Sequence, residues 1–235
     1  MSAPTWQEFY NAGWQFPWAV MVVPFAFALY RAIARDPRGG GVDPALAPFV
    51  SIWTTLFLIE TLLDPLATGP LMRVAGSHFL SQLVGLKFVM LGDFRVFWLV
   101  LRFRSPEQTT LRAALEAAAL SAIAPSLAGL VALRDGPPQS IWLTHELASL
   151  GLAFALARFA SPNELSHARQ AAFVRSVLGY LAAYYGLWAA ADVLILSGVD
   201  AGWPVRLVPN QLYYGFFVPF VWWRFFGASA SHERA

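Results

Sequence analysis

The sequence predicts an all-α polytopic membrane protein: a bundle of seven transmembrane helices, N-terminus outside and C-terminus cytoplasmic. Three observations predict it. Seven stretches, residues 16–34, 48–67, 78–102, 110–133, 140–160, 171–198 and 207–227, are dominated by Leu, Ala, Val, Phe and Trp. A spanning helix needs about 20 mostly apolar residues, each adding about 1.5 Å of rise. Hydrophobic residues make up 57% of the chain and charged ones only 13%, against about a quarter charged in soluble domains. Third, the arginines fall on alternate sides of the stretches.

That alternation sets the orientation. Arg31, Arg35 and Arg38 follow the first stretch, Arg102, Arg104 and Arg112 the third, and Arg158, Arg169 and Arg175 the fifth, with Arg224 and Arg234 at the end. The opposite side has only Arg73, Arg134 and Arg206, and the first fifteen residues have none. Short basic loops stay in the cytoplasm, so an odd number of spans starts outside and ends inside. The net charge of +2 is accounted for by this topology and calls for no nucleic acid.

Residues 1–15 read as an interfacial aromatic leader. Trp6, Tyr10 and Trp14 recur every four residues, with Trp18 continuing the line, which predicts a short helix lying at the outer headgroups. Glu8 and the lack of basic residues argue against a cleavable secretory leader. Residues 16–227 form one transmembrane domain and 228–235 a short cytoplasmic tail. Span 1 ends at Arg31 and span 7 at Arg224, both placed to snorkel to phosphates. Span 2 carries Glu60 and Asp64 one turn apart, on a stripe with Trp53 and Phe57.

Span 3 carries Gln82, Lys87, Asp93 and Arg95. Asp93 and Arg95 point about 200° apart on a helix, so they are not a natural pair; Arg95 is expected to reach toward the inner headgroups. Gly92 admits a close neighbour. Ser105-Pro106-Glu107-Gln108 and Ser161-Pro162-Asn163-Glu164 have capping-box character and are expected to start spans 4 and 6. Span 4 contains Pro125, and span 5 carries His145 and Glu146. Span 6 combines Tyr180, Tyr184, Tyr185 and Trp188 with Asp192. Span 7 combines Asn210, Gln211, Tyr213, Tyr214 and Phe217 with Pro209 and Pro219, which free carbonyls and kink helices. A faint echo links spans 2–3 with 6–7 through Glu60 and Asp192 and through the turns Gly69–Arg73 and Gly202–Arg206.

Ionisable groups inside a span cost roughly 2.5–3.5 kcal/mol each on insertion scales, so those that persist pair, line a wet cavity or work. On the predicted topology Glu60, Asp64, Gln82, Lys87, His145, Glu146, Asp192, Asn210 and Gln211 share the outer half of the bilayer. They predict an outward-opening polar pocket, with Glu60, Lys87, Glu146, Asp192 and Asn210 as substrate-binding or ion-coupling residues. Gln82 and Asp93 would form a proton path, and His145 would carry protons. Lys87, the single lysine beside fifteen arginines, is expected to meet Glu60 first and Asp192 second.

The absence of cysteine excludes disulfides, thiolate nucleophiles and Cys-ligated metals. Seven-span retinal proteins carry a lysine midway along the last span, and residues 207–226 contain none. Membrane hydrolases related to alkaline ceramidases hold zinc with several histidines and an aspartate. Here only His78 and His145 lie within spans, and no helix has paired-His spacing, so no metal and no cofactor is expected. The leading reading is a small-solute or proton-linked carrier. The alternatives are a membrane-embedded enzyme using Glu60 or Asp192 with His145, and a structural subunit of a larger membrane complex. The Ala- and Arg-rich, Lys-poor composition reflects a GC-rich genome and places the chain in a bacterial cytoplasmic (inner) membrane, with the lipid bilayer as its partner. Nothing in the sequence addresses oligomeric state.

Overall fold

A computed structural model describes residues 5–11, 20–33, 42–66, 78–104, 109–134, 137–159 and 168–227, with side chains described throughout these ranges except at 65–66, 78–88 and 159. The described residues are helical and contain no strand. The helices are α1 (Trp6–Asn11), α2 (Val20–Ile33), α3 (Ala47–Leu66), α4 (His78–Arg104), α5 (Thr110–Ser121), α6 (Ile123–Ala132), α7 (Pro138–Phe159), α8 (Ala168–Leu196), α9 (Gly202–Asn210) and α10 (Phe217–Phe226). A π-helical segment, Gln211–Phe216, joins α9 to α10 without a break. Four helical stretches are long and apolar enough to cross a membrane: Ala47–Asp64, Thr110–Ala132, Pro138–Arg158 and Ala168–Leu196.

Which way the side chains face explains the composition. On α3, Ile52, Leu56, Ile59 and Leu63 form an exposed stripe at three- and four-residue spacing. Val50, Trp53, Phe57, Thr61 and Asp64 on the same helix are buried. A soluble helix would show solvent its polar stripe; this one shows leucine and isoleucine and hides its acid. Val22, Phe25, Leu29 and Ile33 of α2 and Leu127 and Leu130 of α6 are likewise exposed. Apolar outside and polar inside is what hydrocarbon solvent demands, and the chain is a membrane protein on this ground as well as on helix length.

Local sequence accounts for the ends and breaks. At α1, Thr5 and Glu8 make a reciprocal capping box: the Glu8 amide donates to Thr5 Oγ1 (3.2 Å) and the Thr5 amide to Glu8 Oε2 (2.8 Å). The Asp200 carboxylate accepts from the amides of Trp6 (2.9 Å) and Gln7 (3.3 Å), tying α1 to the α8–α9 turn. The continuation of the aromatic leader through Trp14 and Trp18 lies outside the described residues. The break between α5 and α6 falls where Pro125 removes the amide that would bond Ser121; Ser126 resumes the ladder to Ala122 O (3.1 Å). The cap of α5 corrects the sequence expectation. Thr109 Oγ1 accepts from the Arg112 amide (3.2 Å), so the helix begins at Thr110 instead of at Ser105. Residues 105–108 and 161–164 lie outside the described residues.

α8 ends in a Schellman turn. Gly198 has φ +77°, and the amides of Gly198 and Val199 bond Ile195 O and Leu194 O (each 2.9 Å). Gly202 then starts α9 against α8, where an added Cβ would lie 2.7 Å from Ala191 O and 2.9 Å from Ile195 N. Gly202→Ala is expected to lower unfolding stability by about 1–2 kcal/mol, within the range for overpacking, because two of the atoms it would meet are α8 backbone and cannot swing aside. Detergent-denaturation midpoints of the two proteins check it.

Two sets of contacts mark the bundle's ends. At one end the Val42 amide bonds Phe225 O (3.0 Å) and Gln170 Nε2 donates to Asp43. Phe103, Phe173 and Phe225 meet there ring to ring, at 4.8–5.9 Å. Arg224 Nε donates to Ser176 Oγ (3.2 Å). At the other end lie the Asp200 contacts with α1 and the pairing of Asn210 with Tyr10 (3.2 Å).

Candidate functional site

Three polar clusters lie inside the bundle. The first centres on Asp93, fully buried on α4. His145 and Ser149 stand four residues apart on α7, hence on one face, and both point at this carboxyl. His145 Nε2 lies 3.3 Å from Asp93 Oδ2, and Ser149 Oγ donates to the same oxygen at 3.2 Å. Tyr185 of α8 donates its hydroxyl to Asp93 Oδ1. Three helices thus meet at one acid whose described partners are an imidazole and two hydroxyls. Ser149 donates to Asp93 and not to His145, so the nucleophile–base–acid order of a hydrolytic triad is not formed.

The second cluster centres on Arg95, also fully buried. Its Nη1 reaches Thr61 Oγ1 (3.1 Å) and Glu60 Oε2 (3.4 Å), and Nη2 donates to the Tyr213 carbonyl (2.8 Å). The guanidinium stacks over the rings of Tyr213 (4.3 Å) and Phe217 (4.9 Å). Trp53 Nε1 donates to the Arg95 carbonyl (2.9 Å). The expectation that Arg95 reaches the inner headgroups is therefore overturned: a carboxylate, a backbone carbonyl and two ring faces hold it inside.

That carbonyl belongs to the π segment. A π turn moves backbone bonding from i+4 to i+5, and Pro219 has no amide to offer Gly215 in α register. Buried donors from other helices complete two carbonyls here: Arg95 serves Tyr213 O, and Tyr180 OH serves Leu212 O (2.9 Å). Gly92 of α4 admits the Tyr213 ring, since any Cβ there would fall on its hydroxyl.

The third cluster joins α7, α8 and α9. Arg206 contacts Asp192 Oδ1 through Nη1 and Glu146 Oε1 through Nη2 (3.6 Å). Both carboxyl side chains are almost wholly buried, at 0% and 3% exposure. Beside it, Trp188 Nε1 donates to Asn210 Oδ1 (2.9 Å), and Asn210 Nδ2 to the Tyr10 hydroxyl.

Of the residues the sequence nominates, Glu146 and Asp192 come together, Asp93 and His145 come together, Glu60 goes to Arg95, and Asn210 goes to Trp188 and Tyr10. The side chains of Gln82, Lys87 and His78 lie outside the described residues. Asp64 and His145 are both buried, at 3% and 5% exposure. Sequence reasoning missed Arg206, which reads as a loop arginine, and also Ser149 and Thr61. The spacing of His145 to Ser149 was the available signal for the second of these. A separate groove of about 630 Å³ between α8, the π segment and α10 is apolar, lined by Tyr180, Leu212, Phe216, Pro219, Phe220 and Trp223 with Arg224 at its edge. None of the nominated polar residues lines it. Among the described residues no three His, Asp or Glu side chains gather as a metal site. Comparison with protein-family models, curated proteins and solved structures finds no match.

Proposed function

We propose that this chain is a proton-linked carrier of a small solute, with seven spans, its N-terminus outside and its C-terminus in the cytoplasm of a bacterium. The observation that carries the reading is the Asp93 cluster. A carboxyl buried on α4 among His145, Ser149 and Tyr185, without a guanidinium among its described partners, is an ionisable group kept inside the bundle, as those on proton and solute paths are. His145 precedes Glu146 on α7, so the Asp93 and Arg206 clusters adjoin along one helix.

Topology supports the same reading. α4 has 27 residues, about 40 Å of helix, and 202–226 is one continuous helix through its π segment. Both are long enough to span, although their polar residues dilute their hydropathy. The helix ends that meet around Phe103, Phe173 and Phe225 are the arginine-rich ones, as a cytoplasmic face requires. The helix 202–226, with a π turn and three prolines, is the natural element to move as the site changes access.

Purified protein in liposomes with a trapped pH dye tests this. A solute panel of small anions, cations and sugars should contain at least one compound that moves protons with it. Asp93→Asn and His145→Gln should reduce that flux to the level of empty liposomes while circular dichroism and gel filtration stay unchanged. Flux that survives Asp93→Asn rejects the Asp93 site. An inert panel together with stable co-purifying proteins favours the complex-subunit alternative.

A further inference from the structure

Glu146 and Asp192 share a single guanidinium. Each spends one oxygen on Arg206, and each has a second oxygen, Glu146 Oε2 and Asp192 Oδ2, that is fully buried and receives no N–H or O–H donor. Both carboxyls touch the same guanidinium, Asp192 at Nη1 and Glu146 at Nη2 (3.6 Å), which sets them side by side. Two ionised carboxylates are both acceptors and cannot bond, and like charges this close in a low dielectric do not both persist. Against one Arg206 the pair would carry an uncompensated negative charge inside the bundle, which is costly.

We infer that Glu146 and Asp192 hold one exchangeable proton between them, making the pair with Arg206 a one-proton binding site. The inference rests on the carrier reading only for its meaning: this proton is then the coupling ion. The charged or titratable groups set against the pair are Arg206 on α9 and, on the far side of Arg206, Tyr10 on α1; His145 precedes Glu146 on α7 and faces Asp93 instead. Arg206 already supplies a fixed cation at the two carboxyls, so a proton completes the site where a metal would have to stand beside a guanidinium. As pH rises the proton leaves, and the doubly ionised pair holds Arg206 more tightly. As pH falls a second proton joins, and Arg206 loses its carboxylate partners and becomes free to bind an anion.

Infrared difference spectroscopy on the full chain in liposomes tests the proton directly. The wild type should show a C=O stretch of a protonated carboxyl at neutral pH that shifts in heavy water and fades at alkaline pH. Asp192→Asn and Glu146→Gln should each abolish it, because the remaining acid then ionises against Arg206. Wild-type protein carrying carboxyl-carbon-labelled aspartate or glutamate gives the same answer without a substitution: the band must move with one label. A band that persists in both variants, or that neither label moves, overturns the proposal. A band that behaves as expected in a protein that moves no solute upholds the shared proton and sinks the carrier. Proton-driven uptake without the band does the reverse.

Discussion

Replacing Arg95 with methionine is expected to destabilise the bundle by about 3–5 kcal/mol, the scale for removing one partner of a buried ion pair. The size follows from what is left behind. Glu60 loses its described cation, Thr61 Oγ1 its donor, and the Tyr213 carbonyl in the π segment its guanidinium partner. Hydrogen bonds between membrane helices average only about 0.6 kcal/mol; three of those would fall short of the expected loss, so the uncompensated charge is the larger part. Arg95→Met combined with Glu60→Gln should therefore recover roughly half of the loss, a coupling well above the 0.5 kcal/mol of independent sites. Arg95→Lys should not rescue it, because a compact ammonium cannot reach Glu60 and Tyr213 O together while stacked on two rings. Unfolding in denaturing detergent followed by circular dichroism measures all four proteins. A single mutant within 0.5 kcal/mol of wild type removes Arg95 from the account of the fold.

The all-helical fold and its long apolar helices were legible in the sequence because their cause is local. Bilayer thickness sets helix length, and each of the apolar stretches has helix within it. The pairing of polar residues was less legible, for a reason particular residues make plain. Depth along a helix follows from counting, whereas azimuth is set by packing. Glu60 meets Arg95, which a depth argument had assigned to the inner headgroups. Arg206 shows the converse failure. It looks like a loop residue because it precedes the last apolar run, but Gly202 starts α9 so tightly against α8 that the arginine turns in between Glu146 and Asp192. The π segment had a signature, Pro219 four residues after Gly215, but its consequence needed a donor from another helix. Thr5 and Glu8, by contrast, were a readable capping box overlooked beside the more conspicuous aromatic spacing.

Gly92→Ala is expected to lose about 2 kcal/mol, although alanine is the better helix former. The two terms oppose each other. Helix propensity favours alanine by about 1 kcal/mol. Against it, the added Cβ would fall on the Tyr213 hydroxyl and 2.6 Å from its Cζ, and overpacking of this kind costs about 1–3 kcal/mol. The clash wins at the upper end of that range because the ring has nowhere to go. Tyr213 is pinned by the Arg95 guanidinium on its face and by Tyr184 (5.5 Å), Trp188 (5.3 Å) and Tyr214 (4.6 Å) around it. Moving it also shifts the π segment that receives Arg95. The discriminating measurement is the double variant Gly92→Ala with Tyr213→Phe, which deletes the atom nearest the new Cβ and should recover more than half of the loss. Tyr213→Phe alone should be nearly neutral, since the carbonyl and the ring face that Arg95 uses both remain. If Gly92→Ala instead raises the midpoint of detergent unfolding, the close approach of α4 to the π segment is wrong, and with it the path by which Arg95 reaches Tyr213.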